Sequence, residues 1–364
     1  MKSICGMAKR LLLPLLSSLI VSAFAPAVFA QSSNVSVFAS GFNNPRGLKF
    51  GPDGNLYVAE GGAGGTLSTA GVCKQVLAPV GPYTGGFTSQ ISKITPDGTV
   101  SVVADKLPSS DTSAAQGNLV SGVADLAFIG KTLYAILAGA GCSHGLAGTN
   151  NGVLRVNSDG STEMVANLSA FVKTHPVLNP NPPDFEPDGT WYSMVADHGV
   201  LVAVEPNHGE LDAIWPGGFV YRIADISRTQ GHIVPTALAF DGQDFFVGNL
   251  DTFPIKDGSS KILRITPLGG IITEYFGFSD IVGLAFDSKN RLYVLENTTG
   301  NPYPTAGTGK ILRIDSKYKY TEIATGLSLP TAMTFGPDGN LYVSNFGFGP
   351  PPVGAGQILK VIVP

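Results

Sequence analysis

Charged side chains make up only 14% of the 364 residues, and acids outnumber bases by 27 to 23. A chain this poor in Lys and Arg has no basic face for phosphate backbones, so nucleic acid is excluded as a partner. Cysteine is nearly absent. Of Cys5, Cys73 and Cys142, none lies in a Cys-x-x-Cys or Cys/His spacing, which excludes a structural zinc site built on them. No long stretch has the apolar period of an amphipathic helix, so a helical bundle is excluded. No nucleophile elbow, P-loop or dinucleotide fingerprint sits on a strand-turn-helix unit, and the Gly-rich residues 61–65 have no helix after them.

Glycine (46) and proline (26) are plentiful, and the apolar residues come in short runs, which together predict many turns and an all-β fold. The first thirty residues differ from the rest. Lys2, Lys9 and Arg10 precede an apolar run over 11–29 that contains no acid, and Val28 and Ala30 are small. This pattern predicts a signal peptide over 1–30, cleaved before Gln31, and hence a secreted or periplasmic domain over 31–364 with no membrane contact after processing. Pro14 and Pro26 interrupt the run and argue against a retained anchor. In an oxidising compartment Cys73 and Cys142 have two readings, a disulfide or two free thiols.

A five-residue pattern recurs six times: Leu56-Tyr57-Val58-Ala59-Glu60, Leu133-Tyr134-Ala135-Ile136-Leu137, Leu201-Val202-Ala203-Val204-Glu205, Phe245-Phe246-Val247-Gly248-Asn249, Leu292-Tyr293-Val294-Leu295-Glu296 and Leu341-Tyr342-Val343-Ser344-Asn345. Its later copies are about 45–50 residues apart, the period of propeller blades. A short apolar strand precedes each copy, through a Gly-Pro-Asp-Gly turn at 51–54 and 336–339, and two further strands follow most copies. The expected fold is a six-bladed β-propeller of four-stranded antiparallel blades. The last copy lacks a fourth strand, and residues 35–42 resemble one, so the N-terminal strand is expected to complete the last blade.

The stretch from Pro45 to Val58, nearly repeated from Pro330 to Val343, resembles the NHL-type propeller repeat. The segments Glu205-Pro206-Asn207-His208-Gly209-Glu210-Leu211 and Gly231-His232-Ile233-Val234-Pro235-Thr236 resemble the ScyD/ScyE family, named for biosynthesis of the pigment scytonemin. That resemblance implies a secreted propeller acting on an aromatic intermediate, with metal dependence as one implied property.

Long connections fall on one end of the ring, where binding chemistry is usually placed. On that face the recurrent strands end in Glu60, Leu137, Glu205, Asn249, Glu296 and Asn345. This ring has two readings, a set of side chains sealing neighbouring backbone or a set of oxygen ligands. The starts of the innermost strands carry Arg46, Ala124, Tyr192, Thr236, Val282 and Thr331, a ring without symmetry. His144, His175, His208 and His232 lie in long-face connections. The expected site is centred on His208 and His232, with Arg46, Tyr192 and Glu205 as catalytic candidates. Glu205, Glu60 and Glu296 join the two histidines as candidate ligands of a divalent metal ion. Two functions compete. One is a lyase, hydrolase or oxidative-coupling enzyme acting on a small organic substrate at the channel mouth. The other is a non-catalytic propeller that binds a small molecule, glycan or protein there.

Overall fold

In a computed structural model the residues described are 30–180, 182–349 and 354–364; of the expected signal peptide, all but Ala30 lies outside them. Strand β1 (Val35–Phe42) comes first. Blade one is β2 (Pro45–Phe50), β3 (Leu56–Glu60), β4 (Thr84–Ile94) and β5 (Val100–Asp111), with the two-residue β6 (Val120–Ser121) added at its edge. Blade two is β7 (Val123–Ile129), β8 (Thr132–Leu137), β9 (Gly152–Val156) and β10 (Thr162–Asn167), followed by helix α1 (Leu168–Thr174). Blade three is β11 (Ser193–Asp197), β12 (Val200–Glu205), β13 (Glu210–Ile214) and β14 (Val220–Asp225), followed by helix α2 (Ser227–Gln230). Blade four is β15 (Pro235–Phe240), β16 (Phe245–Asn249), β17 (Ser260–Ile265) and β18 (Ile271–Phe278). Blade five is β19 (Ile281–Phe286), β20 (Leu292–Glu296), β21 (Gly309–Ser316) and β22 (Lys319–Leu327). Blade six is β23 (Ala332–Phe335), β24 (Leu341–Asn345) and β25 (Gly356–Val361), completed by β1, which pairs antiparallel with β25 from Val35↔Val361 to Phe42↔Gly356. The chain is a six-bladed β-propeller closed by its N-terminal strand.

The recurrent pattern has a packing cause. Each copy is the second strand of its blade and lies between two neighbouring blades, so both of its faces are covered; β16, β20 and β24 are buried at every residue, and β12 at every residue after Val200. Six apolar clusters each join two consecutive blades. The aromatic at the second position of the pattern staples one blade to the next: Tyr57 meets Phe128 edge-on at 5.2 Å, Phe246 meets Phe286 at 5.2 Å, Tyr293 meets Phe335 at 5.0 Å and Tyr342 meets Phe50 at 5.0 Å. Such contacts are favourable beyond the area they bury. The Gly-Pro-Asp-Gly turns are closed from within, because Asp53 accepts from Asn55 and the Tyr57 hydroxyl, as Asp338 does from Asn340 and Tyr342.

In the first blade β4 begins at Thr84, well before the ring itself, and pairs outward to Asp111. The β4/β5 hairpin thus rises above the rim as a ribbon, held because Ser109 and Asp111 accept backbone N–H groups from Gly64 and Gly65. The ribbon carries Ser110 and, just before it, Tyr83 to the long-loop face.

Candidate functional site at the channel mouth

The ring at the ends of the second strands is a set of latches. Glu60 accepts the N–H of Asn43 at 2.7 Å, and Gln90 and Ser92 bond its other oxygen. Glu205 accepts the N–H groups of Thr190 (2.7 Å) and His208. Glu296 accepts Ser279 N–H at 2.7 Å and pairs with Lys310 at 3.3 Å. Asn345 accepts Ser328 N–H at 2.8 Å, and Asn249 donates to the Ile233 carbonyl at 2.9 Å. Each side chain ties the end of its own strand to the segment leading into the first strand of the same blade. Burial raises the pKa of Glu60 and Glu296, and pushes Glu205 to about 8 against the pull of the Thr190 and His208 N–H groups.

The expected metal set therefore does not assemble. Glu60, Glu205 and Glu296 belong to blades one, three and five, and each is bonded to its own blade's backbone. Among the described residues no three His, Cys, Asp or Glu side chains group as metal ligands. A divalent ion does not fit His208, His232, Glu205, Glu60 and Glu296 as a donor set.

His208 and His232 converge instead on one segment, residues 184–186. Buried His208 stacks on Phe185 (centroids 4.7 Å apart) with its Nε2 2.9 Å from the Glu186 carbonyl. His232 Nε2 lies 3.4 Å from Asp184 Oδ2. Asn207 accepts the N–H of Glu186 and donates to the carbonyl of Asp184, each at 2.8 Å. The Glu205-Pro206-Asn207-His208 motif is thus a clamp: Glu205 fixes the segment at Thr190, and Asn207 and His208 fix it at 184–186.

That segment forms one wall of a cavity of about 460 Å³ at the channel mouth, which Arg46, Ala124, Tyr192 and Thr236 also line. Blades three and six face each other across the ring. The hydroxyl of Tyr192, at the start of blade three, donates to the Thr331 carbonyl of blade six at 2.9 Å, so its side chain spans the channel and floors the cavity. Arg46 lies over the Tyr192 ring at 5.6 Å and donates through Nη2 to the Val120 carbonyl at 2.6 Å. Its Nη1 is shielded from solvent and has no partner among the described residues. Arg46 makes no salt bridge to Glu60, whose carboxylate is taken up by Asn43, Gln90 and Ser92. Burial lowers the pKa of Arg46, opposed by Tyr192, while burial lifts Tyr192 to about 12. Asp280 is wholly buried nearby, with neither carboxyl oxygen hydrogen-bonded; burial, with the adjacent Glu296, raises its pKa well above its usual value.

Sequence reasoning missed a second group. The Tyr83 hydroxyl donates to Glu186 Oε1 at 2.7 Å; His144 Nε2 lies 3.4 Å from Glu186 Oε2, and His144 Nδ1 is 3.0 Å from Ser110 Oγ. All four side chains are buried, and Tyr83 and Glu186 line the cavity. Burial, reinforced by the charges of Glu186 and Asp184, holds the Tyr83 pKa well above its usual value. Three devices seat His144. Cys142, two residues earlier, is disulfide-bonded to Cys73; Ser143 donates through N and Oγ to Asp188; and Gly85 lets the turn approach, since a Cβ there would lie 2.5 Å from the His144 carbonyl oxygen. His144 carried a signal as a long-loop histidine. Glu186 carried none.

No family model matches the chain, and no curated protein matches it. Among solved structures it is similar over 92% of its length to a structural-genomics protein of unknown function from Bacteroides thetaiotaomicron (TM-score 0.57, 13% identity, 77% of that chain). It is similar over 91% to a gluconolactonase from Xanthomonas campestris (TM-score 0.54, 11% identity, 89% of that chain) and over 91% to a glucose dehydrogenase (TM-score 0.52, 15% identity, 99% of that chain). At these identities the likeness is one of fold, a six-bladed propeller with gluconolactonase-like and glucose dehydrogenase-like structural neighbours.

Proposed function

We propose that the protein is a secreted propeller enzyme of the ScyD/ScyE type that holds a small organic substrate over Tyr192 and moves a proton on it. The carrying observation is that Arg46, whose Nη1 has no partner among the described residues, and a hydrogen-bonded Tyr83–Glu186 pair line the same cavity. Arg46 Nη1 anchors a carboxylate or carbonyl oxygen of the substrate. Tyr83, held as a phenol, takes the substrate proton on its oxygen while its own proton passes to Glu186, which ends as the neutral acid. Glu186 is therefore the base and Tyr83 its relay; return of the proton to a different substrate carbon gives isomerisation, and its delivery to a group that departs with the electron pair of its bond to the adjacent carbon gives elimination, the lyase direction. No metal enters these steps. Export and the family assignment rest on the N-terminal pattern and on the 205–211 and 231–236 segments.

The test uses 2-oxobutyrate in deuterated buffer. We expect deuterium to enter its C3 position faster than in buffer alone, and to fall by about 10²-fold in Glu186→Gln and Tyr83→Phe. Arg46→Met should lose binding of the probe as well. Exchange at the buffer rate with the parent protein would sink the enzymatic reading in favour of a non-catalytic binder, and binding indifferent to Arg46→Met would sink the anchor.

A further inference from the structure

The charges lining the mouth cavity are unbalanced. Arg46 is its one cationic wall residue among the described residues, whereas Asp184, Glu186 and Asp251 are acids. Glu186 is engaged by Tyr83. Asp184 faces His232 at 3.4 Å with its side chain 32% exposed, and Asp251 is half-buried, capping the N–H of Thr252 at 2.8 Å. Leu119, Val234, Leu250, Phe253 and Phe348 make much of the remaining wall apolar. A purely anionic ligand that reached Arg46 would share this space with three carboxylates, and a purely cationic one would meet the guanidinium; apolar walls weaken the screening of both repulsions.

Resting on the proposed function, we infer that the ligand is zwitterionic: a small molecule with a carboxylate for Arg46, an ammonium for Asp184 and Asp251, and an apolar side chain for the wall between. The orphaned Nη1 accounts for the first group, the acid excess for the second and the aliphatic and aromatic lining for the third. The volume lies within the range of small-molecule sites and accommodates an aromatic amino acid.

Three probes sharing a phenyl group separate these contributions by calorimetric titration of the folded protein near pH 7: L-phenylalanine, 3-phenylpropionate and 2-phenylethylamine. We expect L-phenylalanine to bind at least about tenfold more tightly than either of the others, a difference of about 1.4 kcal/mol. Asp184→Asn combined with Asp251→Asn should bring it to the level of 3-phenylpropionate, whose own affinity holds or improves. Arg46→Met should bring it to the level of 2-phenylethylamine. Circular dichroism and melting confirm that each variant is folded. If 3-phenylpropionate matches L-phenylalanine, the ammonium site is overturned while the Arg46 anchor stands. If 2-phenylethylamine matches it, the anchor itself falls. Binding of no probe at about 10 mM overturns the zwitterionic class, and the deuterium experiment then judges the proton-transfer reading separately.

Discussion

Two rings of side chains surround the channel mouth, one at the ends of β3, β8, β12, β16, β20 and β24, the other at the starts of β2, β7, β11, β15, β19 and β23. The first is nearly uniform, with a carboxylate or amide in five of its six positions, and Glu60, Glu205, Glu296 and Asn345 each accept a backbone N–H while Asn249 donates to a backbone carbonyl. The second is irregular, and its two departures from small or apolar residues, Arg46 and Tyr192, lie against each other in the cavity. A feature that five of six blades repeat answers a demand that blades make in common, here an open connection that must be tied down. A feature found in one blade answers a demand of the whole ring. Repetition therefore marks scaffold in this molecule, and broken repetition marks the site.

The largest expected effect concerns closure, which both rings presuppose. Deleting residues 31–42 removes the strand paired with β25, the fully buried Phe42, and the Ser32 and Asn34 bonds to Thr325 and Ile323. We expect a loss of about 5 kcal/mol or more, comparable with the whole stability of a domain, seen as loss of the cooperative melt. An unchanged melting temperature would show that the ring does not depend on its clasp.

The comparison itself is sharpened by Glu205→Ala against Arg46→Met. Alanine at 205 leaves the N–H groups of Thr190 and His208 without their acceptor, at a cost of about 2–4 kcal/mol in chemical denaturation. Methionine at 46 removes one bond to the Val120 carbonyl and an unpartnered nitrogen, at about 1 kcal/mol or less. A larger loss from Arg46→Met would reverse the assignment of scaffold and site.

A smaller effect follows from pH. Burial raises Glu205 to about 8 and Asp125 to about 6, so both hold protons in the folded state that the unfolded chain releases near pH 4. Stability from these groups is fully present below their unfolded values and is lost as pH rises through the folded ones. The melting temperature should therefore fall by a few °C between about pH 5 and pH 8. Glu205→Gln, which puts an amide where blades four and six have Asn249 and Asn345, should flatten that slope. A melting temperature that rises over this range would show that the latch carboxylates are ionised.

The fold was legible because blade packing acts through local pattern. A second strand covered on both faces needs a continuous apolar run, and its neighbour needs an aromatic partner, so Tyr57, Tyr293 and Tyr342 announce blades before any coordinates exist. Arg46 and Tyr192 were legible as breaks in a ring. Their joint floor over the channel was not, because it depends on Tyr192 reaching from blade three to Thr331 in blade six. Glu186 was invisible for a related reason. It sits in a connection without periodicity, and its meaning comes from Tyr83, 103 residues away, and from His144 in the loop of another blade.

By itself, then, the sequence determined the six blades, their strand order and the face with long connections from periods and turns read within about fifty residues, and the closing strand from a fourth strand missing in the last copy and present at 35–42. The tertiary structure alone decided which polar residues meet. It turned the symmetric carboxylates into latches, made the Glu205-Pro206-Asn207-His208 motif a clamp, and brought Arg46 of β2, Tyr83 of the connection before β4, and Glu186 and Tyr192 of the connection before β11 to one cavity. Hydrogen bonds and charge contacts across a ring depend on positions in space that neighbouring residues do not encode.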